Sequence, residues 1–124
     1  MITLKELTTP SQLKEFVKFP FRLYKDEPNW VPPIINDELE SMDPKKNPVF
    51  KNADARYFLA LKDGKAVGRI CAIINHIEIK QQGKSKMRFG WFDAIDDIEV
   101  TKSLLSKVEE IGLQHQLDYM EGPV

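Results

Sequence analysis

Of the 124 residues only one, Cys71, is a cysteine. No intrachain disulfide can hold this fold, and a metal site built from clustered thiolates is excluded. Long apolar runs are also missing. The longest, Ile70 to Ile74, is far short of the about 20 residues needed to span a bilayer as a helix. The opening Met1-Ile-Thr-Leu-Lys-Glu has none of the apolar core of a secretory leader. Neither sign of charge dominates: 18 basic against 19 acidic side chains leave a net charge of -1. Such a balance gives no broad field to gather nucleic acid or an anionic membrane. There is no internal repeat and no low-complexity tract. With 42% hydrophobic and 30% charged residues, the composition is that of a soluble globular chain of one domain, with the cytoplasm as the expected compartment.

The N-terminal third reads as a strand followed by helices and proline-rich loop. Ile2 to Leu7 has strand character. Thr9-Pro10-Ser11-Gln12 is a helix start: Thr9 caps, Pro10 suits the first turn, and Gln12 sits at capping-box spacing. Leu13, Phe16 and Val17 share one face of that helix. Pro20 removes a donor and is expected to close the run near Phe19. Pro28-Asn29-Trp30-Val31-Pro32-Pro33 is irregular. A short helix is expected from Ile34 to about Ser41, before Asp43-Pro44. Trp30 and Phe50 are expected to anchor this segment.

The strongest local signal is a hairpin. Ala55 to Leu61 and Ala66 to about Ile79 read as two strands joined by Lys62-Asp63-Gly64-Lys65, with Gly64 free to take positive φ. On the second strand Ile70, Ala72 and Ile74 alternate with Val67, Cys71 and Ile73, so both faces are apolar. That pattern belongs to a strand covered on both sides. Cys71 is expected to be a small buried hydrophobe. After the Gln81–Ser85 turn, Met87, Phe89 and Trp91 alternate with Arg88, Gly90 and Phe92. The strand runs through Asp93-Ala94-Ile95-Asp96-Asp97 into a helix from Asp97 to about Gln114, whose apolar face holds Val100, Leu104, Val108 and Ile111. Asp96 and Glu99 stand at capping spacing. Tyr119 to Gly122 reads as a last short strand, and strand–helix–strand of this length suits a right-handed parallel crossover. The fold class is α+β, an α/β sandwich: a mixed, mostly antiparallel sheet with helices on both faces.

That order of elements resembles the first two-thirds of the GNAT acyl-CoA N-acyltransferase fold. Pro28-Asn29-Trp30-Val31-Pro32-Pro33, Asp43-Pro44-Lys45-Lys46-Asn47-Pro48, Asp63-Gly64-Lys65-Ala66-Val67-Gly68-Arg69-Ile70, Trp91-Phe92-Asp93 and Glu121-Gly122-Pro123 are similar to stretches in the N-terminal part of larger bacterial proteins of that superfamily. The resemblance implies a single GNAT-like domain over residues 1–124 that stops after its fifth strand. It also implies acyl-CoA as the cofactor, bound around Phe92, Asp93, Asp96, Asp97 and Glu99. A backbone N–H near Phe92 or Asp93 would hold the oxyanion, and Asp93 would be the carboxylate that deprotonates an amine.

In the family, pyrophosphate rests on an Arg/Gln-x-x-Gly-x-Gly/Ala loop at a helix start, where free N–H groups and the helix dipole favour an anion. Here Asp96 takes the Arg/Gln position, Glu99 and Thr101 take the small-residue positions, and no glycine lies between Asp93 and Ile111. At 4–6 Å and an effective dielectric near 20, each carboxylate–phosphate pair repels by roughly 3–4 kcal/mol, less once salt screens it. One helix dipole returns only about 0.3–1 kcal/mol. Two readings follow: an N-acyltransferase with a degenerate phosphate loop, or a non-catalytic interaction or structural module that keeps the fold without binding CoA.

The remaining candidates are weaker in chemistry. Cys71 and His76 face opposite sides of a strand, which disfavours a shared metal or a Cys–His nucleophile pair. Tyr57 and Tyr119 are candidate general acids or packing residues. Lys84, Lys86 and Arg88 fall on one strand face as a small anion patch or a solvated turn. A last strand without a neighbour is an exposed edge, expected to be covered by a second copy of the chain or by the rest of a longer parent.

Overall fold

The computed structural model describes residues 1–124. Asp63 and Gly64, both at positive φ (52° and 78°), turn the chain between its two longest strands, β2 (Ala53–Lys62) and β3 (Lys65–Asn75). Positive φ at both central residues is what a two-residue hairpin turn of the primed type needs. β1 (Ile2–Leu7) pairs antiparallel with the free side of β2, and β4 (Lys86–Ala94) pairs antiparallel with β3. β5 (Tyr119–Glu121) lies parallel to β4, in the register Lys86–Tyr119 to Arg88–Glu121. The sheet order is therefore β1-β2-β3-β4-β5. The parallel step is made through α4 (Ile98–Gln114).

Each face of the sheet carries its own core. On one face α4 presents Val100, Leu104, Val108 and Ile111 to Phe58, Ile70, Ala72, Ile74, Met87 and Phe89. On the other, α1 (Pro10–Leu23) and α2 (Ile35–Ser41) cover Leu7, Tyr57, Leu59 and Cys71 with Phe16, Val17, Phe19 and Met42. A short 3-10 turn (Pro48–Lys51) leads into β2, and α3 (His76–Lys80) follows β3. The α+β sandwich with helices on both faces is thus the observed architecture. No helix is long and apolar enough to cross a membrane.

Four details differ from the sequence pattern, each for a local reason. Helix α1 runs through Pro20 to Leu23. Proline cannot donate to the carbonyl four residues back, but that carbonyl, of Phe16, accepts from Arg69 Nη1 at 2.9 Å. Strand β3 ends at Asn75, whose side-chain oxygen accepts from the N–H groups of Ile77 and Glu78 and so starts α3. His76 is therefore helical and pairs with Asp54 at 2.8 Å. The α4 cap is Asp97, which accepts from the Glu99 N–H at 2.9 Å, so the cap lies one residue past Asp96.

The fourth difference is two bulges. Ala60 pairs with Gly68 and Leu61 with Ala66, leaving Val67 extra. Arg69 pairs with Asp93 and Cys71 with Gly90, leaving Trp91 and Phe92 opposite Ile70 alone. A bulge breaks the alternation of faces. Val67 joins Ile70 and Ala72 on the α4 side instead of opposing them, and Trp91 leaves Met87 and Phe89 for the α1–α2 side while Phe92 takes the α4 side.

Gly68 is the point of closest approach to α4: a Cβ there would lie 2.8 Å from Leu104 Cδ1 and 2.9 Å from Val100 Cγ1. Gly68→Ala is expected to cost about 1–3 kcal/mol through overpacking, and Leu104→Ala about 2–5 kcal/mol through the cavity it leaves. Combined, they should cost less than their sum, because the first fills part of the space the second opens. Urea denaturation of the two variants and the double variant measures this coupling.

Candidate functional site

The junction between β4 and α4 is built around the bulge. Trp91 sits at φ 43°, a region that side-chain-bearing residues rarely adopt. Its indole Nε1 donates to Glu38 Oε2 on α2 at 3.1 Å, and its ring lies 6.3 Å from that of Tyr57. A bulge also takes backbone groups out of the ladder, so the segment 91–92 is where β4 can offer main-chain donors to something other than β3.

Just beyond the bulge, Asp93 is held on both oxygens. Arg69 Nε donates to Oδ2 at 2.9 Å, and the Tyr24 hydroxyl donates to Oδ1 at 2.6 Å. Arg69 is only 6% exposed. Its guanidinium also reaches the Phe16 carbonyl and stacks 4.9 Å over the Phe16 ring. Burial, together with the bond to Asp93, pushes the Tyr24 hydroxyl up to about 12, so it stays protonated and keeps donating. A carboxylate engaged this way ties α1, β3 and β4 together, and both of its oxygens accept a hydrogen bond from within the chain.

The other residues expected around a cofactor are spread out. Phe92 packs edge-on against Phe89, ring centres 5.9 Å apart, towards α4. Asp96 and Glu99 are exposed. Asp97 accepts the Glu99 N–H and is 3.3 Å from Lys62 Nζ; both hold its carboxyl below the usual range, the N–H first. The Asp97 carbonyl takes the N–H groups of Val100 and Thr101 at 3.1 and 3.2 Å. The donors of this helix start are thus largely used within the chain, and three carboxylates surround it. The start of α4 therefore lacks the glycines of the family's phosphate loop and has most of its N–H groups occupied.

The basic stretch is likewise committed. Arg88 grips Glu78 with two bonds of 2.8 and 2.6 Å and reaches Glu121 at 3.2 Å. Lys86, 5% exposed, lies 3.2 Å from Glu78 and 3.4 Å from Glu121. These contacts clamp α3 and β5 to β4, and only Lys84 of the expected anion patch remains exposed without a salt bridge. Cys71 is fully buried, and burial pushes its thiol up to about 12. Tyr57 is buried with its hydroxyl unpartnered, and burial raises it too. Tyr119 is exposed on β5.

Sequence reading alone passed over Arg69, Glu38 and Glu78. Arg69 had a visible signal, as a cation inside the apolar stretch Val67 to Ile74. Glu38 and Glu78 had none, because their partners come from distant elements.

Arg69→Met is expected to cost about 3–5 kcal/mol, since it strands a partly buried carboxylate and a helix carbonyl; chemical denaturation measures it. The Glu78 carboxyl is held down to about 2 by Arg88 first and Lys86 second, against burial, from an ordinary value of 4.5. Its stabilising contribution is complete above pH 4.5 and is lost as the pH falls towards 2. The urea midpoint should drop across that window in the native protein, and this drop should be smaller in Glu78→Gln.

No family model matches the chain. It is 36% identical over 103 residues to a bacterial ceramide synthase of Caulobacter vibrioides, covering 82% of this chain and 27% of that protein. It is 38% identical over 113 residues to protein YghO of Escherichia coli, covering 91% and 29%. The chain therefore spans less than a third of the length of these curated relatives. Among solved structures it is similar to an aminoglycoside acetyltransferase from an uncultured soil metagenomic sample, solved with sisomicin (TM-score 0.64, 10% identity, 99% of this chain and 77% of that one). It is also similar to a GNAT-family acetyltransferase of Staphylococcus aureus Mu50 (0.64, 17%, 98% and 73%), and to an acetyltransferase of Clostridium acetobutylicum solved with acetyl-CoA (0.62, 10%, 100% and 81%). Strand order, the parallel step through α4 and these matches agree: the chain has the GNAT fold.

Proposed function

We propose that this chain is the donor-binding part of an N-acyltransferase, which moves an acyl group from the thioester of an acyl-CoA to an amine. The Trp91 bulge is the observation that carries the reading. The segment from Trp91 to Asp93 supplies a main-chain N–H, at Phe92 or Asp93, to the thioester carbonyl oxygen, where negative charge develops. The amine nitrogen attacks the carbonyl carbon, a C–N bond forms and the C–S bond breaks. The substrate ammonium has given one proton to solvent before this attack, and the one further proton that the nitrogen sheds on becoming an amide leaves with the sulfur as the thiol. Asp93, fixed by Arg69 and Tyr24, holds the end of β4 in place for this contact. The likeness to a ceramide synthase supports the reading, since a ceramide carries its acyl group on nitrogen, as an amide.

A second reading rests on a different observation. The start of α4 is satisfied by Asp97 and ringed by Asp96 and Glu99, which favours a GNAT-fold module that has lost CoA binding. The unpaired outer edge of β5 bears on both readings. Its Tyr119 and Met120 are exposed, and we propose that a second copy of the chain covers it. A species that stays monomeric in sedimentation at high concentration would rule that contact out.

Calorimetric titration with acetyl-CoA and with a long-chain acyl-CoA, at low and high salt, separates the two functional readings. Binding by the native chain is expected. Asp96→Asn with Glu99→Gln should tighten it severalfold at low salt and less at high salt, because the charges they remove are exposed and screened. Absence of heat at millimolar ligand would sink the transferase reading for this chain and leave the module.

A further inference from the structure

We infer that Glu38, held against the Trp91 indole, is the subsite that binds the cationic ammonium group of the acceptor amine. The inference rests on the acyl-transfer reading and names its second substrate by chemistry: a primary amine in its ammonium form.

Two observations converge on Glu38. First, it is a half-buried carboxylate without a cationic partner. Its one side-chain contact is the Trp91 Nε1–H on Oε2; no Lys, Arg or His lies within ion-pair distance, whereas Glu6, Glu78, Asp93 and Asp97 each have one. A carboxylate accepts about four hydrogen bonds, so most of this one's capacity is open. Second, its contact is with the bulge residue itself. The positive φ of Trp91 turns the side chain off the α4 face and onto the α1–α2 face, where it meets α2. The carboxylate therefore stands one indole away from the main chain that would hold the acyl carbonyl.

Asp93 does not compete for this role. Its charge is matched by Arg69, and its second oxygen takes the Tyr24 hydroxyl. The two carboxylates divide the work by environment, Asp93 fixing the end of β4 and Glu38 presenting a free anion.

The test uses hexylamine as the probe and 1-hexanol as its neutral match. The chain has two tryptophans, so its NMR spectrum shows two indole N–H signals, and Trp91→Phe identifies the one at the bulge. Hexylamine should move the Trp91 signal saturably and hexanol should not. Glu38→Gln keeps an oxygen to accept the indole N–H and removes only the charge. It should leave the thermal midpoint and acyl-CoA binding as they are and weaken hexylamine at least tenfold. Equal hexylamine affinity in the native chain and Glu38→Gln overturns the inference, as does an unmoved Trp91 signal. Acyl-CoA binding is read in a separate titration of both proteins. If the native chain binds hexylamine through Glu38 and does not bind acyl-CoA, the transferase reading fails while the amine subsite stands. If it binds acyl-CoA with no effect at Glu38, the reverse holds.

Discussion

One buried cation organises this molecule. Arg69 lies in the middle of the most apolar strand and is almost wholly out of water. A guanidinium is tolerated there only with a carboxylate and further acceptors around it. It has all of these: the Asp93 carboxylate, the Phe16 carbonyl and the face of the Phe16 ring. The carbonyl is available because Pro20 has no N–H to give it. A proline inside α1, an arginine in β3 and an aspartate at the end of β4 are thus one device, and each would be a defect without the other two. It fixes where α1 sits on the sheet and where β4 ends, and the bulge lies between those two constraints.

Much of the fold was legible in the sequence because it is written locally. Thr9 and Gln12 form the reciprocal cap that their spacing suggests. The Asp63-Gly64 turn, the two apolar faces of β3 and the apolar stripe of α4 depend on nearest neighbours, and they appear where pattern places them. What pattern missed depends on register between strands. Period-two alternation puts Val67 with Cys71 and Trp91 with Met87, and one extra residue in each strand reverses both assignments. Gly68 and Gly90 flank the two positions, and a glycine inside a strand often marks a bulge, but which residue is extra is fixed by the pairing partner. The extension of α1 through Pro20 is of the same kind, since the group that compensates for it comes from a strand 53 residues away.

The site shows the same division. The aspartates at the β4–α4 junction were visible as carboxylates where a phosphate loop is expected, and the structure gives the reason for one of them: Asp97 is the helix cap and pairs with Lys62. Asp93 was visible as a carboxylate at a strand end, but its engagement with Arg69 and Tyr24 joins residues 24 and 69 positions apart in the chain. Glu38 is invisible from sequence, because a glutamate in a short polar helix is ordinary until Trp91 is turned towards it. The basic run at 84–88 looked like free charge and is largely neutralised by Glu78 and Glu121.

The tight turn at Asp63-Gly64 also bears on the order in which the chain assembles. It joins strands of ten and eleven residues with only two residues between them, so their pairing closes the smallest loop in the sheet. Hairpins of this kind form in about 1–10 μs. β5 pairs with β4 only after the whole of α4 has crossed the sheet, over three residues, and that long closure is entropically the slower one. Loop closure thus favours the β2–β3 hairpin as the first pairing and β5 as the last, and amide hydrogens in β5 are expected to exchange through local fraying before those of β2 and β3, which need global opening.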